Sequence, residues 1–361
     1  MTRLVIDARL LGHSGIGTYL AELLPRVLPA LAQWRPRAIT TRDGRDEVAA
    51  LVGPHAELVF SSVPPLSARD LVFAPRLGPG DVLWTPHFNV PLRSDAPLVV
   101  TLHDLLPLTA PDLAGRGRSW PVRAWMRAIR ARARSVLCVS EFTRNEAMRV
   151  GGLDAGRLQT TRLGADAAWF AAGSSARVPT KPPTIVFVGL MKPHKNALRL
   201  LQAFARVRDR IAPRLVIVGR HSGIRNVDRA ALELAATMRD RVDLVEDLAF
   251  SDLVALVASA QFAVQPSLHE GFGLPALEAM AAGVPVLAGR AGALPEVCGE
   301  AAVYCDPTSE DEIARSLMLL AGDDALRRRL SAAGRERAQL FSWDTCAAAT
   351  IDALTAALRI P

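Results

Sequence analysis

Twelve short apolar runs, interleaved with stretches of helical spacing, restrict this chain to a narrow choice of folds. Six come early: Leu4–Ile6, Ala38–Thr41, Glu57–Ser61, Val82–Thr85, Leu98–Leu102 and Val136–Val139. Six more follow: Ile185–Val188, Leu215–Val218, Val242–Val245, Phe262–Val264, Val286–Leu287 and Val303–Tyr304. Short β-branched runs without polar alternation suit strands buried on both faces, and the intervening helices supply the cover, so each set predicts a parallel, doubly wound sheet. Between the sets, residues 171–183 (AAGSSARVPTKPP) read as a linker. The expected organisation is one domain over 1–170, that linker, a second domain over 184–340 and a last helix within 341–361. A length of 361 residues fits two domains.

In such sheets ligands gather at the carboxyl ends of the strands. The most pointed stretch there is Gln265–Val286, QPSLHEGFGLPALEAMAAGVPV. A buried strand opens into a loop built on Gly271 and Gly273, and a helix is expected from Leu274 to Ala282. Glycines let the backbone approach a ligand, and the N–H groups opening the helix form an anion site. Glu270 stands at the mouth of that turn and Glu278 one turn inside the helix, with Pro275 placed where its missing N–H costs nothing. An ordinary strand–loop–helix unit would share these features, so the stretch alone does not assign a function.

Other stretches add to it. Gly15 and Gly17 in GHSGIGTYLAELL resemble part of a dinucleotide fingerprint, but the third glycine and the following acidic residue are absent. They are expected in a flexible loop before a helix beginning at Thr18. His87 and His103 both fall at strand ends, His103 followed by Asp104. The basic residues are nearly all arginine. Lysines occur only at 181, 192 and 195, so two within four positions stand out. Between Gly115 and Ser135, arginines at 116, 118, 123, 127, 130, 132 and 134 are interleaved with Trp120, Trp125, Met126 and Ile129. That pattern fits a helix lying on an anionic bilayer, or equally a solvated basic face with its apolar side packed inward.

Composition narrows the choice further. A net charge of +7 and a pI near 9.9 favour anionic partners. No nucleic-acid-binding module is recognisable, so nucleic acid is not an expected partner. Four scattered cysteines without a C-x-x-C pair argue against a disulfide framework or zinc site and suit a reducing cytoplasm. The opening MTRLVIDARLL runs straight into a strand, and no segment approaches a membrane span. No D-x-D pair is present, which removes the usual carboxylate grip on a metal–nucleotide complex. The P-loop, G-x-S-x-G and H-E-x-x-H patterns are absent too.

Taken together, GIGTYLAELL (15–24), HDLLPL (103–108), VSEFTRNE (139–146), VGLMKPHKN (188–196), LVIVG (215–219), the 266–286 segment and ALPEVCGEAAVYCDP (293–307) resemble the retaining glycosyltransferases of family 4. The resemblance spans nearly the whole chain, and E-x7-E with its glycine loop is its most specific part. It implies an α/β GT-B fold, in which two Rossmann-like doubly wound domains face each other across a cleft. The N-terminal one would bind the acceptor and the C-terminal one the donor sugar nucleotide. It implies that Glu278 holds the ribose hydroxyls. Glu270, with backbone N–H groups of Gly271, Phe272, Gly273 and Leu274, would hold the donor sugar. Lys195 would neutralise the diphosphate, His103 would sit beside the transferred sugar, and Gly15 and Gly17 would let a loop close over it. The final helix would cross back to brace the N-terminal domain. Many members carry an arginine where this chain has Leu190. Charge neutralisation then falls to Lys195 with Lys192, His194 or Arg220.

The expected activity is retaining transfer of a hexose from a nucleoside-diphosphate sugar to a glycan or lipid-linked saccharide in cell-surface polysaccharide synthesis. Mannose or deoxyhexose is favoured, with a GDP-linked donor and no metal cofactor. The protein is expected in the cytoplasm, with peripheral contact at the inner membrane face through Arg123, Arg127 and Arg130. The alternatives are a sugar-nucleotide-binding GT-B protein without turnover and a GT-B phosphorylase or epimerase-like enzyme.

Overall fold

The structure, a computed structural model, describes residues 2–67, 69–70, 73, 75–115, 117, 119–174, 182–222 and 226–360. The chain divides into two compact units, one formed by Met1–Leu163 with Ser342–Pro361 and the other by Gly164–Phe341.

Among the described residues the first unit holds a seven-stranded parallel sheet: β1 (Leu4–Asp7), β2 (Arg37–Thr40), β3 (Glu57–Phe60), β4 (Val82–Thr85), β5 (Leu98–Leu102), β6 (Ala133–Cys138) and β7 (Leu158–Thr160). Their order is β3-β2-β1-β4-β5-β6-β7. The chain winds outward from β1 on one side and returns to its other side at β4, so the sheet reverses direction between β1 and β4. Val5, Leu83, Leu98, Val100, Leu102 and Val136 pack into one buried cluster that also takes Trp125, Met126 and Ile129 of the helix Ser119–Arg132. The strand β7 escapes the sequence reading because Leu-Gln-Thr is short and polar at its centre.

Among its described residues the second unit holds a six-stranded parallel sheet: β8 (Thr184–Val188), β9 (Arg214–Val218), β10 (Val242–Val245), β11 (Phe262–Gln265), β12 (Val286–Gly289) and β13 (Ala302–Cys305). Their order is β10-β9-β8-β11-β12-β13, with the reversal between β8 and β11. The helix Ala197–Val207 shows why the sheet is covered. Leu200, Leu201, Phe204 and Val207 recur at helical spacing and are all buried against it. Burying each such side chain stabilises the fold by about 1.5–3 kcal/mol.

Several expectations need correction. Gly15 and Gly17 are not in a loop: the helix starts at Ser14 and runs to Val27. A side chain at 17 would place its Cβ 2.0 Å from the Leu11 carbonyl oxygen, so glycine there admits the preceding turn onto the helix. In the basic segment Trp125, Met126 and Ile129 are core residues, while Trp120 is 69 % exposed. Arg132 donates to the carbonyls of Ser94 and Pro91, and Arg134 to those of Ala357 and Ile360, so both are tied inward. Arg123, Arg127 and Arg130 lie on the exposed face, and Arg116 and Arg118 lie outside the described residues. Of the expected linker, 171–174 finish the helix Ala167–Ser174, and 175–181 lie outside the described residues.

Candidate functional site

A doubly wound sheet opens a crevice where its strand order reverses, beyond the carboxyl ends of the two strands involved. In the second unit those strands are β8 and β11, and the loops leaving them carry Lys195 and Glu270. Beyond β8 the chain makes a single tight turn over Pro193–Lys195 before the helix Ala197–Val207. Beyond β11 it runs through Ser267 and Glu270 into the helix Leu274–Ala281. The structure joins the two loops: Lys195 Nζ donates to Glu270 Oε1 at 2.7 Å and to Oε2 at 2.8 Å.

Glu270 is only 7 % exposed. Its Oε1 also accepts from Ser267 Oγ at 2.7 Å and from Gln265 Nε2 at 2.9 Å, and the Gln265 amide reaches Ser267 Oγ at 3.0 Å. Burial alone would push this carboxyl up. The charge and hydrogen bonds of Lys195, the charge of His194 and the Ser267 hydroxyl outweigh it and hold Glu270 below the ordinary carboxylate value. The site thus keeps a fixed anion and a fixed cation side by side, largely out of water, where each interaction is stronger than at a surface.

Glycines make this packing possible. A Cβ on Gly292 would lie 2.4 Å from the Glu270 carbonyl oxygen and 2.6 Å from its nitrogen, and Gly292 has φ +60°. The next residue, Ala293, donates its N–H to that same carbonyl at 2.9 Å. Gly273 has φ +101° at the start of the helix Leu274–Ala281, and no side chain caps that end. Pro275 occupies the first turn as expected. Gly271 is buried, and Phe272 turns its ring onto Phe341 at 5.8 Å. Glu278 sits half-buried in the middle of the helix. Lys192 and His194 share the Lys195 turn, whereas Arg220, at the end of β9, is largely exposed and lies 3.8 Å from Asp247.

The first unit has its own reversal point, between β1 and β4. There Asp7 and Arg9 form an ion pair at 2.6 Å, Arg9 meets Asp70 at 3.0 Å, and Asp70 accepts from Asn89 Nδ2 at 2.8 Å. A carboxylate can only accept, so the Asn89 oxygen faces His87, and His87 Nδ1 donates to it at 2.9 Å. His103 follows β5. Burial lowers its ring to about 4, His87 adds to that effect, and Asp104 and the Pro86 carbonyl oppose it, so the ring is neutral at physiological pH. Its Nε2 is buried without a hydrogen-bond partner, and Tyr19 packs edge-on at 5.0 Å. Gly15 and Gly17 belong to this unit, as do Arg123, Arg127 and Arg130.

Sequence reasoning picked out Lys195, Glu270 and their glycines but missed Gln265, Ser267, Asn196 and the Asp7–Arg9–Asp70–Asn89 chain. The available signal was polar side chains at the ends of buried strands, as with Gln265 closing β11 and Asp7 closing β1.

Known proteins resemble this chain in sequence and in fold. The family pattern described as Glycosyl transferases group 1 matches residues 174–337, and that of Glycosyltransferase Family 4 matches residues 14–169. The chain is 31 % identical over 286 residues to the O-antigen chain mannosyltransferase B of Escherichia coli, covering 74 % of this chain and 72 % of that protein. It is 33 % identical over 268 residues to the MMP alpha-(1->4)-mannosyltransferase of Mycolicibacterium hassiacum, covering 71 % of this chain and 64 % of that protein. Among solved structures, the sucrose-phosphate synthase of Thermosynechococcus elongatus superposes with a TM-score of 0.77 at 21 % identity, covering 99 % and 98 % of the two chains. The HepE protein of Anabaena, solved with UDP-glucose, gives 0.76 at 16 % identity over 98 % and 99 %.

Proposed function

This chain belongs to the group 1 and family 4 glycosyltransferases, with two Rossmann-like domains of the GT-B type, and from that premise we propose that it is a retaining hexosyltransferase. The donor is a nucleoside-diphosphate sugar, mannose or a deoxyhexose being favoured and GDP the favoured nucleotide. The acceptor is a hydroxyl of a glycan or lipid-linked saccharide in cell-surface polysaccharide synthesis. The observation that carries the proposal is the buried Lys195–Glu270 pair at the β8/β11 reversal point, beside an uncapped helix start.

The chemistry follows from charge. As the bond between the anomeric carbon and the diphosphate oxygen breaks, negative charge builds on the diphosphate. Lys195 and the N–H groups opening the helix Leu274–Ala281 stabilise that charge in place of a metal. The acceptor oxygen bonds to the anomeric carbon on the same face, and its proton passes to the departing diphosphate. Glu270 and the backbone of Gly271, Phe272, Gly273 and Leu274 hold the sugar hydroxyls, and Glu278 holds the ribose. Lys192 and His194 are placed to support Lys195, and Arg220 on the exposed rim contributes less. In the first unit, neutral His103 offers Nε2 to a sugar hydroxyl, and the helix start at Gly15 and Gly17 brings backbone close to the ligand. The relatives named as mannosyltransferases support the mannose reading.

The test is donor-induced stabilisation with EDTA present throughout. A donor at about a hundred times its Kd adds about 2.7 kcal/mol. GDP-mannose is expected to raise Tm and to support transfer in EDTA. No shift with GDP-mannose while UDP-glucose raises Tm would overturn the donor assignment. Transfer lost in EDTA and restored by Mn²⁺ would overturn the metal-free chemistry.

We place the protein in the cytoplasm with peripheral contact at an anionic membrane face. No helix among the described residues is long and apolar enough to cross a membrane. Arg123, Arg127 and Arg130 share the exposed side of one helix with Trp120 at spacings of three and four, so one face presents three charges and an aromatic anchor. Each arginine contributes roughly 1 kcal/mol at an anionic surface, enough in sum for reversible attachment. In liposome flotation the protein is expected to rise with anionic but not neutral vesicles. Salt, or the change of all three arginines to serine, is expected to release it. A protein that stays in the soluble fraction at low salt would leave this face merely solvated.

A further inference from the structure

We propose that Asn196 is a positioning residue for Lys195, its side-chain amide joining three separate loops into one block that sets where the lysine amine stands. The proposal rests on the reading that Lys195 meets the leaving diphosphate.

Asn196 directly follows Lys195 and is 3 % exposed. Its backbone is left-handed, φ 64° and ψ 31°, a conformation that asparagine tolerates better than other side chains bearing a Cβ. Its Nδ2 donates to the carbonyl of Pro266 at 2.9 Å and to that of Pro307 at 2.6 Å. Its Oδ1 accepts from Arg199 Nη1 at 2.9 Å. Carbonyls only accept and a guanidinium only donates, so the amide has one orientation and both of its hydrogens are used.

Each partner belongs to a different part of the site. Pro266 opens the loop that carries Glu270. Pro307 follows β13, two strands away from β11 in the sheet. Arg199 lies in the helix Ala197–Val207, which is anchored by its buried face. A second stitch, Leu268 N–H to the His194 carbonyl at 2.8 Å, ties the same two loops on the other side of Lys195. The loops are also packed too tightly for an alternative seating. A Cβ on Gly289 would lie 2.8 Å from the Ser267 carbonyl oxygen and 3.1 Å from Pro307 Cβ. With the lysine backbone pinned on both sides, its four-carbon stem keeps the amine on Glu270 before any donor arrives.

Asn196→Gly is the informative change, because glycine accepts the left-handed backbone while the bridge is lost. It is combined with Lys195→Ala in a double-mutant cycle read by steady-state transfer. In the wild-type background Asn196→Gly is expected to lower kcat about tenfold to a hundredfold, the scale of a misplaced catalytic group, with donor KM changed less than about threefold. In the Lys195→Ala background the same change is expected to cost nothing more. A readout independent of turnover is reductive methylation, followed peptide by peptide across the three lysines of the sequence. Lys195 is expected to react faster in Asn196→Gly than in the wild type. If the protein with glycine does not fold, Asn196→Asp takes its place in the cycle, setting carboxylate oxygens against the Pro266 and Pro307 carbonyls at nearly unchanged volume. Unchanged kcat, or an equal loss in both backgrounds with unchanged labelling, would overturn the proposal. Should Lys195→Ala itself leave transfer intact, the role given to Lys195 fails, and the labelling rate still decides whether Asn196 places the amine.

Discussion

Lys195→Ala is expected to lower kcat/KM for transfer at least about a hundredfold, the scale of removing one preorganised charge donor from a developing anion. Two effects act in the same direction. The departing diphosphate loses its cation, and Glu270 loses the largest influence opposing its burial, so its carboxyl shifts upward. Without the lysine holding it, Glu270 is also less firmly placed to accept from sugar hydroxyls. Steady-state kinetics over a range of donor concentrations measures the loss. A change below about threefold would move the role to Lys192, His194 or Arg220.

The second large effect is expected at Glu278. Glu278→Gln preserves the shape of the side chain and takes away the charge that two ribose hydroxyls would meet. A hydrogen bond to a charged group contributes about 1.5–3 kcal/mol, so affinity for the nucleoside diphosphate is expected to fall about 10- to 150-fold. The fold is expected to survive, because the residue is half-buried while Ala276, Leu277, Ala279 and Met280 of the same helix carry the packing. Titration calorimetry on the variant measures both affinity and competence to bind. Unchanged affinity would remove Glu278 from the nucleotide site.

Much of this architecture was legible in the chain. The apolar runs predicted twelve of the thirteen strands found among the described residues, because strands buried on both faces write themselves as local hydrophobic segments. Glu270 and Lys195 were legible for local reasons too: a carboxylate in a glycine loop, and one of three lysines in an arginine-rich sequence. The hydrogen bonds that organise them were not. Asn196 reaches partners 70 and 111 positions away, and the Lys195–Glu270 pair spans 75. No local pattern records such pairings. The helix start at Ser14 was missed because glycine usually signals a break, whereas Gly17 answers a steric demand made by Leu11. The two tryptophans of the basic helix looked alike in the sequence, and only their place on the helix separates buried Trp125 from exposed Trp120.

The helix Trp343–Arg359 belongs to the first unit although the whole second unit, Gly164–Phe341, intervenes in the sequence. Trp343, Cys346, Ala347, Thr350, Leu354 and Leu358 are buried there, Trp343 lies edge-on to Tyr19 at 6.4 Å, and Cys346 reaches the carbonyl of Thr161. On the ribosome, where a chain emerges amino end first, the earlier-made unit therefore stays unfinished until the whole of the later-made one has been synthesised. Its apolar seam lacks the buried face of Trp343–Arg359 until that helix is made. A premature stop near codon 341 would spare Lys195, Glu270 and their hydrogen-bond partners yet leave the first unit without one of its walls.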